Sequence, residues 1–459
     1  MTRPMVLIVG AGFAGFHCAR ELERLLRPDE AELTLASPVD YMLYSPLLPQ
    51  VAAGVITPQA AAVSLRRALR RTLRAPCSIT GIDLDARICV AQAVTGEVHT
   101  VPWDYLALCP GAVTRTFGTP GGEQHGRGMK TLAQATHLHD HVLAELELGN
   151  AVSDEQRRAA HCTFVVAGAG YAGVETAAAL HLFTRRLLRR FINLRPEHLR
   201  WVLADVAPHV LPELGGQLSA AALGRLRQRG IDVRLGTGLA QITDSAVRLT
   251  DGTELPCHTA VWTAGVMASP LIATLGLETA RSGRLRVTPE LQVPGWLEVF
   301  SAGDAAAVPD LTRDLDAITP PTAQHAQRQG ITVARNIARR LRGQPLQPYR
   351  HRDLGLAVDL GGTQAVARPL GRHLSGVPAQ VLTRGYHLYA LPSLRARMRT
   401  AADWLVHATL GDDFTRLGLP DPMSGVLVGQ EPAEGYLSAG DARQTAAAIL
   451  AHDQGGWPA

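Results

Sequence analysis

The run Met5-Val6-Leu7-Ile8-Val9 is apolar without interruption and opens into Gly10-Ala11-Gly12-Phe13-Ala14-Gly15. An unbroken apolar run of this length, with no polar alternation, suits a strand buried on both faces of a parallel sheet. A helical pattern follows to Leu26, and a short strand at Glu32 to Ala36 closes a βαβ unit. The arrangement recurs at Phe164 to Val166, followed by Gly168-Ala169-Gly170-Tyr171-Ala172-Gly173, a helix from about Val174 and a strand at Trp201 to Ala204. One G-x-G-x-x-G is a weak signal; two, each between a predicted strand and a predicted helix, point strongly to dinucleotide sites. The first glycine permits the tight turn, the second lets the backbone approach a pyrophosphate, and the third lets helix and strand pack closely. The helix start then offers unpaired N–H groups and positive potential to the phosphates.

Two such loops imply two dinucleotides. A molecule holding two most simply passes a hydride from one to the other, which predicts a flavin and a nicotinamide. The second unit ends its second strand at Asp205, which can accept a hydrogen bond from a ribose 2′-hydroxyl and repels a 2′-phosphate, favouring NADH over NADPH. Asp205 lies beyond the usual distance from its loop, and the excess is the Arg-rich stretch from His181 to Arg195. The first unit reads Ala36-Ser37-Pro38 at the equivalent place, so the Ser37 hydroxyl replaces the usual carboxylate.

The chain has 459 residues, more than one core normally organises, so two or three domains are expected. With 46% hydrophobic and 19% charged residues it is neither a disordered tail nor a highly charged nucleic-acid module. Lys130 is the sole lysine. Charge is unevenly placed: Ile331 to Thr400 carries twelve arginines against Asp353 and Asp359, a net of +10, whereas Ala401 to Ala459 is net −6. A solvated face accounts for such a basic block, and so does attraction to an anionic surface or substrate. Cys18, Cys77, Cys89, Cys109, Cys162 and Cys257 show no C-x-x-C pair and no regular spacing, which predicts reduced thiols in a cytoplasmic protein. No metal site is expected. The apolar run after Arg3 ends in a glycine loop and lacks a cleavage site, so no export signal is predicted. No stretch of about twenty uncharged apolar residues exists to span a membrane.

Four further segments carry a resemblance: Tyr41-Met42-Leu43-Tyr44-Ser45-Pro46-Leu47-Leu48, Trp262-Thr263-Ala264-Gly265-Val266, Phe300-Ser301-Ala302-Gly303-Asp304, and Ala323-Gln324-His325-Ala326-Gln327-Arg328-Gln329-Gly330. With the two glycine loops, the chain resembles the type II NADH dehydrogenases, single-chain NADH:quinone oxidoreductases of the two-dinucleotide flavoprotein superfamily, over about residues 5 to 405. The resemblance implies an α/β fold with two Rossmann-like dinucleotide-binding domains on the glutathione-reductase plan and a smaller C-terminal domain. The FAD domain would comprise 1–115 and 285–345, the inserted NADH domain 116–284, and a C-terminal substrate- or membrane-facing module 346–410, leaving 411–459 as an acidic tail. FAD and NADH would be held by Gly10, Gly12, Phe13, Ala14, Gly15, Ser37, Pro46, Gly111, Gly303, Asp304, Gly168, Gly170, Tyr171, Gly173, Asp205, Ala264 and Gly265. Asp304 would be the ligand of the flavin ribityl or pyrophosphate, and Ala264 to Val266 would line the crevice between the cofactors. Glu175 would lie near nicotinamide and flavin, orienting the former. Gln324 would stand on the quinone side of the flavin, with Arg328 and Leu47 as further acceptor contacts.

Three departures from the family pattern stand out. Its second glutamine, four residues after the first, is Arg328; a common Ala-Thr-Gly reads Cys109-Pro110-Gly111; and the usual apolar C-terminal helix pair is replaced by weaker material. From Ser393 onward the stripe Leu394, Met398, Ala401, Leu405 and Ala408 has helical spacing, with Arg395, Arg397, Arg399 and Trp404 beside it. It reads equally as a poor membrane anchor and as a helix docked on the protein. Asp441 to Ala451 reads as one more helix. Disulfide reductases need a cysteine pair after the first βαβ unit, and none lies between Leu33 and Pro76; sulfide:quinone oxidoreductases need a late cysteine, and none follows Cys257. Three readings stay open. They are a respiratory NADH:quinone oxidoreductase held peripherally at a membrane, a soluble FAD enzyme of specialised metabolism acting on a quinone-like small molecule, and a redox sensor with little turnover. A nucleic-acid partner is not expected, and the oligomeric state stays open, a homodimer included.

Overall fold

The computed structural model describes residues 3–280, 282–313, 317–351, 355–418, 422–427 and 435–452, so Asp353 lies outside the described residues. Strand Met5–Val9 is the centre of a five-stranded parallel sheet in the spatial order Val299–Ser301, Tyr105–Leu108, Met5–Val9, Glu32–Ala36, Leu73–Ala75. Val9 pairs with Ala36 on one side and with Leu108 on the other. Four of the five residues of the central strand are buried, as the unbroken apolar run requires. Helix α1 (Phe13–Leu25) follows the first glycine loop. The short helix α2 (Leu48–Ala52) grows out of the segment Tyr41 to Leu48.

A second sheet repeats the plan. Helix α3 (Leu132–Ala151) leads into it, started by a capping box in which Thr131 and Gln134 satisfy each other's backbone N–H. Its strands lie in the order Gly126–Gly128, Thr259–Trp262, Thr163–Ala167, Arg200–Asp205, Asp232–Leu235, again all parallel, with helix α4 (Tyr171–Leu187) after the second glycine loop. In both sheets the glycine loop leaves the carboxyl end of the central strand, where the strand order reverses.

Strand Val299–Ser301 returns the chain to the first sheet, and helix α5 (Ala323–Leu341) then packs along α1. That contact is very close: a Cβ at Gly330 would stand 2.1 Å from the Ala14 carbonyl oxygen. Beyond it, three short antiparallel strands (Ala357–Asp359, Ala365–Ala367, Leu374–Ser375) carry helix α6 (Val377–Ala390), followed by helix α7 (Leu394–Leu410).

Helix α7 docks on the protein, but not through the stripe the sequence singled out. Ala396, Thr400 and Trp404 are buried, and the Trp404 indole N–H donates to Gln50 Oε1 at 2.7 Å. Leu394, Met398 and Leu405 face outward and are 71%, 66% and 65% exposed. The amphipathic pattern located the helix; of its two readings, the docked one uses the opposite face, where Trp404 with two small residues fills the available groove, and the stripe itself is left outward. The acidic tail also has structure. Asp140 of α3 accepts from the backbone of Leu417 and Gly418, and helix α8 (Ala439–His452) lies on the antiparallel sheet Cys77–Asp83, Ile88–Ala93, Val98–Pro102. Arg443 pins it there through Asp83 at 2.5 Å and Asp85 at 2.7 Å.

Among the described residues no helix is long and apolar enough to cross a membrane.

Candidate active site

The two glycine loops have matching geometry. A Cβ at Gly15 would stand 1.8 Å from the Gly10 carbonyl oxygen, and one at Gly173 would stand 1.8 Å from that of Gly168. Both third glycines are therefore packing requirements. Gly12 and Gly170 differ, since a Cβ there would meet nothing within 4 Å. These positions face open space at the starts of α1 and α4, and neither helix start carries a side-chain cap. By contrast α3, α5 and α7 are capped by Thr131, Thr322 and Ser393. The N–H groups of α1 and α4 are thus left for an anion, and the bare Gly12 and Gly170 leave it room. The chain fits two pyrophosphates.

Around the first loop, Cys109 N–H donates to Val9 O, and Gly111 holds a left-handed turn at φ +79°. Gly303 N–H donates to the side chain of Gln329, which is fully buried and whose amide donates in turn to Thr319. Asp304 follows, its carboxyl raised by burial against the opposing pull of Lys130 and Arg284. Phe13 packs on Tyr44 with centroids 5.6 Å apart, and Pro46 begins the turn after it. Ser37 is buried, its Oγ accepting from Val39 N–H at 3.4 Å. Leu47 is wholly enclosed in the core.

In the second unit, Asp205 accepts from the backbone N–H of Ala169 at 2.5 Å and of Ala207 at 2.7 Å. Its carboxylate thereby ties the glycine loop to the end of the second strand, where a ribose would sit. Tyr171 begins α4. Ala264 and Gly265 follow strand Thr259–Trp262 and press against the loop: a Cβ at Gly168 would come within 2.7 Å of Ala264 Cα.

Glu175, in the second turn of α4, reaches across to the C-terminal module, where its Oε1 accepts from Asp359 N–H at 2.8 Å. The two carboxyl groups help line a cavity of about 450 Å³ with Gln50, Arg384 and His387. Three donors converge on Asp359: Gly361 N–H at 2.7 Å, the Gln380 amide at 3.0 Å and the Gln50 amide at 3.2 Å. Glu175 is less well supplied, and burial, reinforced by the negative neighbour Asp359, pushes its carboxyl well above the usual range. Burial raises the Asp359 carboxyl too, opposed by the hydrogen bonds from Gln380 and Gly361 and by Arg384 and Arg229, so the larger rise falls on Glu175. His387 is held down to about 4 by burial and bonds the Tyr44 hydroxyl at 3.1 Å.

Gln324 and Arg328 share one face of α5, as their spacing predicts, and both meet the segment that follows Tyr349. The Gln324 amide donates to Gly355 O at 3.1 Å, and Arg328 Nη1 donates to His351 Nδ1 at 2.8 Å. His351 packs against His325 with centroids 4.0 Å apart and rings tilted by 36°, and His325 Nδ1 lies 2.9 Å from the Tyr349 hydroxyl. Asp359, Gln50, His387 and Gln329 were not singled out by sequence reasoning. Asp359 offered one usable signal, an isolated acid inside Leu356-Ala357-Val358-Asp359-Leu360-Gly361-Gly362.

Two parallel-sheet units, each ending in a glycine-capped helix start, define a two-dinucleotide flavoprotein of the pyridine nucleotide-disulphide oxidoreductase family, whose profile matches residues 4–330. Type II NADH:quinone oxidoreductase Ndh of Mycobacterium tuberculosis is 31% identical over 88% of each chain. The type II NADH:quinone oxidoreductase of Staphylococcus aureus is 26% identical over 83% of this chain and 94% of its own. In structure the chain is similar to NDH2 from Plasmodium falciparum in complex with NADH, with a TM-score of 0.83, 16% identity, and coverage of 90% of this chain and 100% of that one. The chain belongs to the type II NADH:quinone oxidoreductase family.

Proposed function

We propose that the protein is an FAD-dependent NADH:quinone oxidoreductase. The observation that carries this reading is the pair of uncapped helix starts at Gly12 and Gly170, each at the carboxyl end of a parallel sheet, in a chain of this family. Bound FAD supplies the two-electron relay between NADH and the acceptor. The chain's own residues do the rest. The α1 start and Asp304 hold FAD, the α4 start and Asp205 hold NADH, and Gly15 and Gly173 keep each helix against its strand. Reduction of a quinone by NADH takes up one proton, and Glu175, whose carboxyl burial beside Asp359 pushes well above the usual range, is the group placed to supply it. Gln324 and Arg328 present donors on the acceptor side.

The domain division at 115, 285 and 346 is part of this proposal, supported by Val299–Ser301 joining the first sheet. So is peripheral contact with the cytoplasmic face of a membrane, supported by the outward Leu394, Met398 and Leu405. Steady-state oxidation of NADH by the purified flavoprotein, with menadione, a ubiquinone analogue or dioxygen as acceptor, tests the reading. Quinone rates well above the dioxygen rate are expected; rates with dioxygen alone would overturn it.

A further inference from the structure

A second cavity, of about 670 Å³, lies where α1, the segment Asp40 to Ala68, Leu132 at the start of α3 and the start of α7 meet. Arg20, Arg67, Arg395 and Arg399 line it, and Asp40 is the one acid in its wall. Four guanidinium groups from three separate parts of the fold thus face one space. Arg20 donates to the Pro392 carbonyl, which fixes the start of α7 against α1. None of the four lies within ion-pair distance of a carboxylate among the described residues, although arginines elsewhere, such as Arg342 with Glu30 and Arg443 with Asp83, are paired. Hydroxyls of Tyr41, Ser64 and Ser393 belong to the same wall.

Four like charges set against one acid repel one another, and an anion with several acceptor oxygens relieves that repulsion. We infer that this cavity binds a phosphate-bearing ligand, and that its source is the headgroup of an anionic glycerophospholipid. The source follows from what adjoins it. Leu394 and Met398, on the same helix as Arg395 and Arg399, are 71% and 66% exposed, and Tyr389 just before the cavity is 78% exposed. A headgroup seated on the arginines places its acyl chains beside these apolar side chains. A soluble phosphate compound would gain nothing from them. The inference rests on the peripheral membrane contact proposed above and adds a defined site to it.

Flotation of the FAD-loaded protein with vesicles of neutral phosphatidylcholine, with and without phosphatidylglycerol, tests it. The triple variant Arg67→Gln/Arg395→Gln/Arg399→Gln keeps Arg20 and hence the α7 anchor. It should lose at least about tenfold in affinity for phosphatidylglycerol vesicles, with flavin content and NADH oxidation by soluble menadione unchanged. The control Arg350→Gln/Arg372→Gln removes two exposed charges of the same basic stretch outside the cavity and should lose much less. Equal losses in control and triple variant would reduce the site to diffuse attraction and overturn it, while leaving membrane contact intact. Binding of glycerol phosphate at the cavity without vesicle binding would overturn the lipid as the source. No vesicle binding at all would overturn membrane contact and this site together.

Discussion

Asp359 N–H donates to Glu175 Oε1 at 2.8 Å, so the C-terminal module is fastened to the second turn of the nicotinamide-unit helix by a carboxyl that burial pushes well above the usual carboxylate range. A carboxyl whose folded-state pKa is raised binds its proton more tightly folded than unfolded. The folded state is therefore favoured at low pH and loses ground as pH rises from the ordinary carboxylate range through the raised value, by up to about 1.4 kcal/mol per pH unit per proton. Asp359→Asn removes the adjacent negative charge and lowers the Glu175 pKa. Denaturant midpoints measured from the ordinary carboxylate range upward should fall with pH in the wild type and fall less steeply in Asp359→Asn. Parallel curves would deny the coupling.

The glycine loops give a cleaner separation of folding from binding. Gly12→Ala adds a methyl group into open space and should fold with near-native stability while losing most of its FAD. Gly15→Ala forces a Cβ toward the Gly10 carbonyl and should cost at least about 2 kcal/mol, with flavin lost as a consequence. Flavin absorbance at 450 nm, a general property of oxidised flavins, is to be read beside thermal unfolding. Equal destabilisation by both changes would remove Gly12 from the phosphate site.

The elements around these loops were legible because local rules act without competition there. Met5 to Val9 and Thr163 to Ala167 are apolar on both faces, and nothing but a covered parallel strand suits them. The C-terminal module was less legible. Its short strands, Ala357–Asp359 and Ala365–Ala367, carry no long period, and the orientation of α7 was decided by the groove that accepts Trp404, a tertiary fact absent from the helix's own pattern. The Glu175–Asp359 contact joins residues 184 apart in the chain, with no local signature linking them.

Asp205 should set the nicotinamide preference. On the proposed NADH site its carboxylate would face a 2′-phosphate, so kcat/KM for NADH should exceed that for NADPH by at least about tenfold, roughly 1.4 kcal/mol. Because the same oxygens hold Ala169 and Ala207, Asp205→Arg should narrow the gap and also weaken NADH binding. Asp205→Asn, which keeps an acceptor oxygen, should retain more NADH affinity than the arginine variant. A wild type that prefers NADPH would overturn the assignment of this carboxylate.

Arg328 replaces the glutamine expected by resemblance, and its Nη1–His351 bond places a fixed positive charge against the His351–His325 pair. Burial, reinforced by His351 and by Arg328 among others, holds His325 down to about 4, so at neutral pH its ring is uncharged and the guanidinium is the cation of this cluster. An acceptor carrying a carboxylate or sulfonate gains from that charge, and a neutral quinone gains only while negative charge develops on its oxygen. Arg328→Gln keeps a donor and deletes the charge. Rates with an anionic quinone should therefore fall by about tenfold relative to those with menadione. Stopped-flow reduction of the enzyme by NADH should be unchanged, since Asp205 and the α4 start are untouched. If both acceptors respond equally, Arg328 acts only through the position of His351, and charge selection belongs to another part of the site.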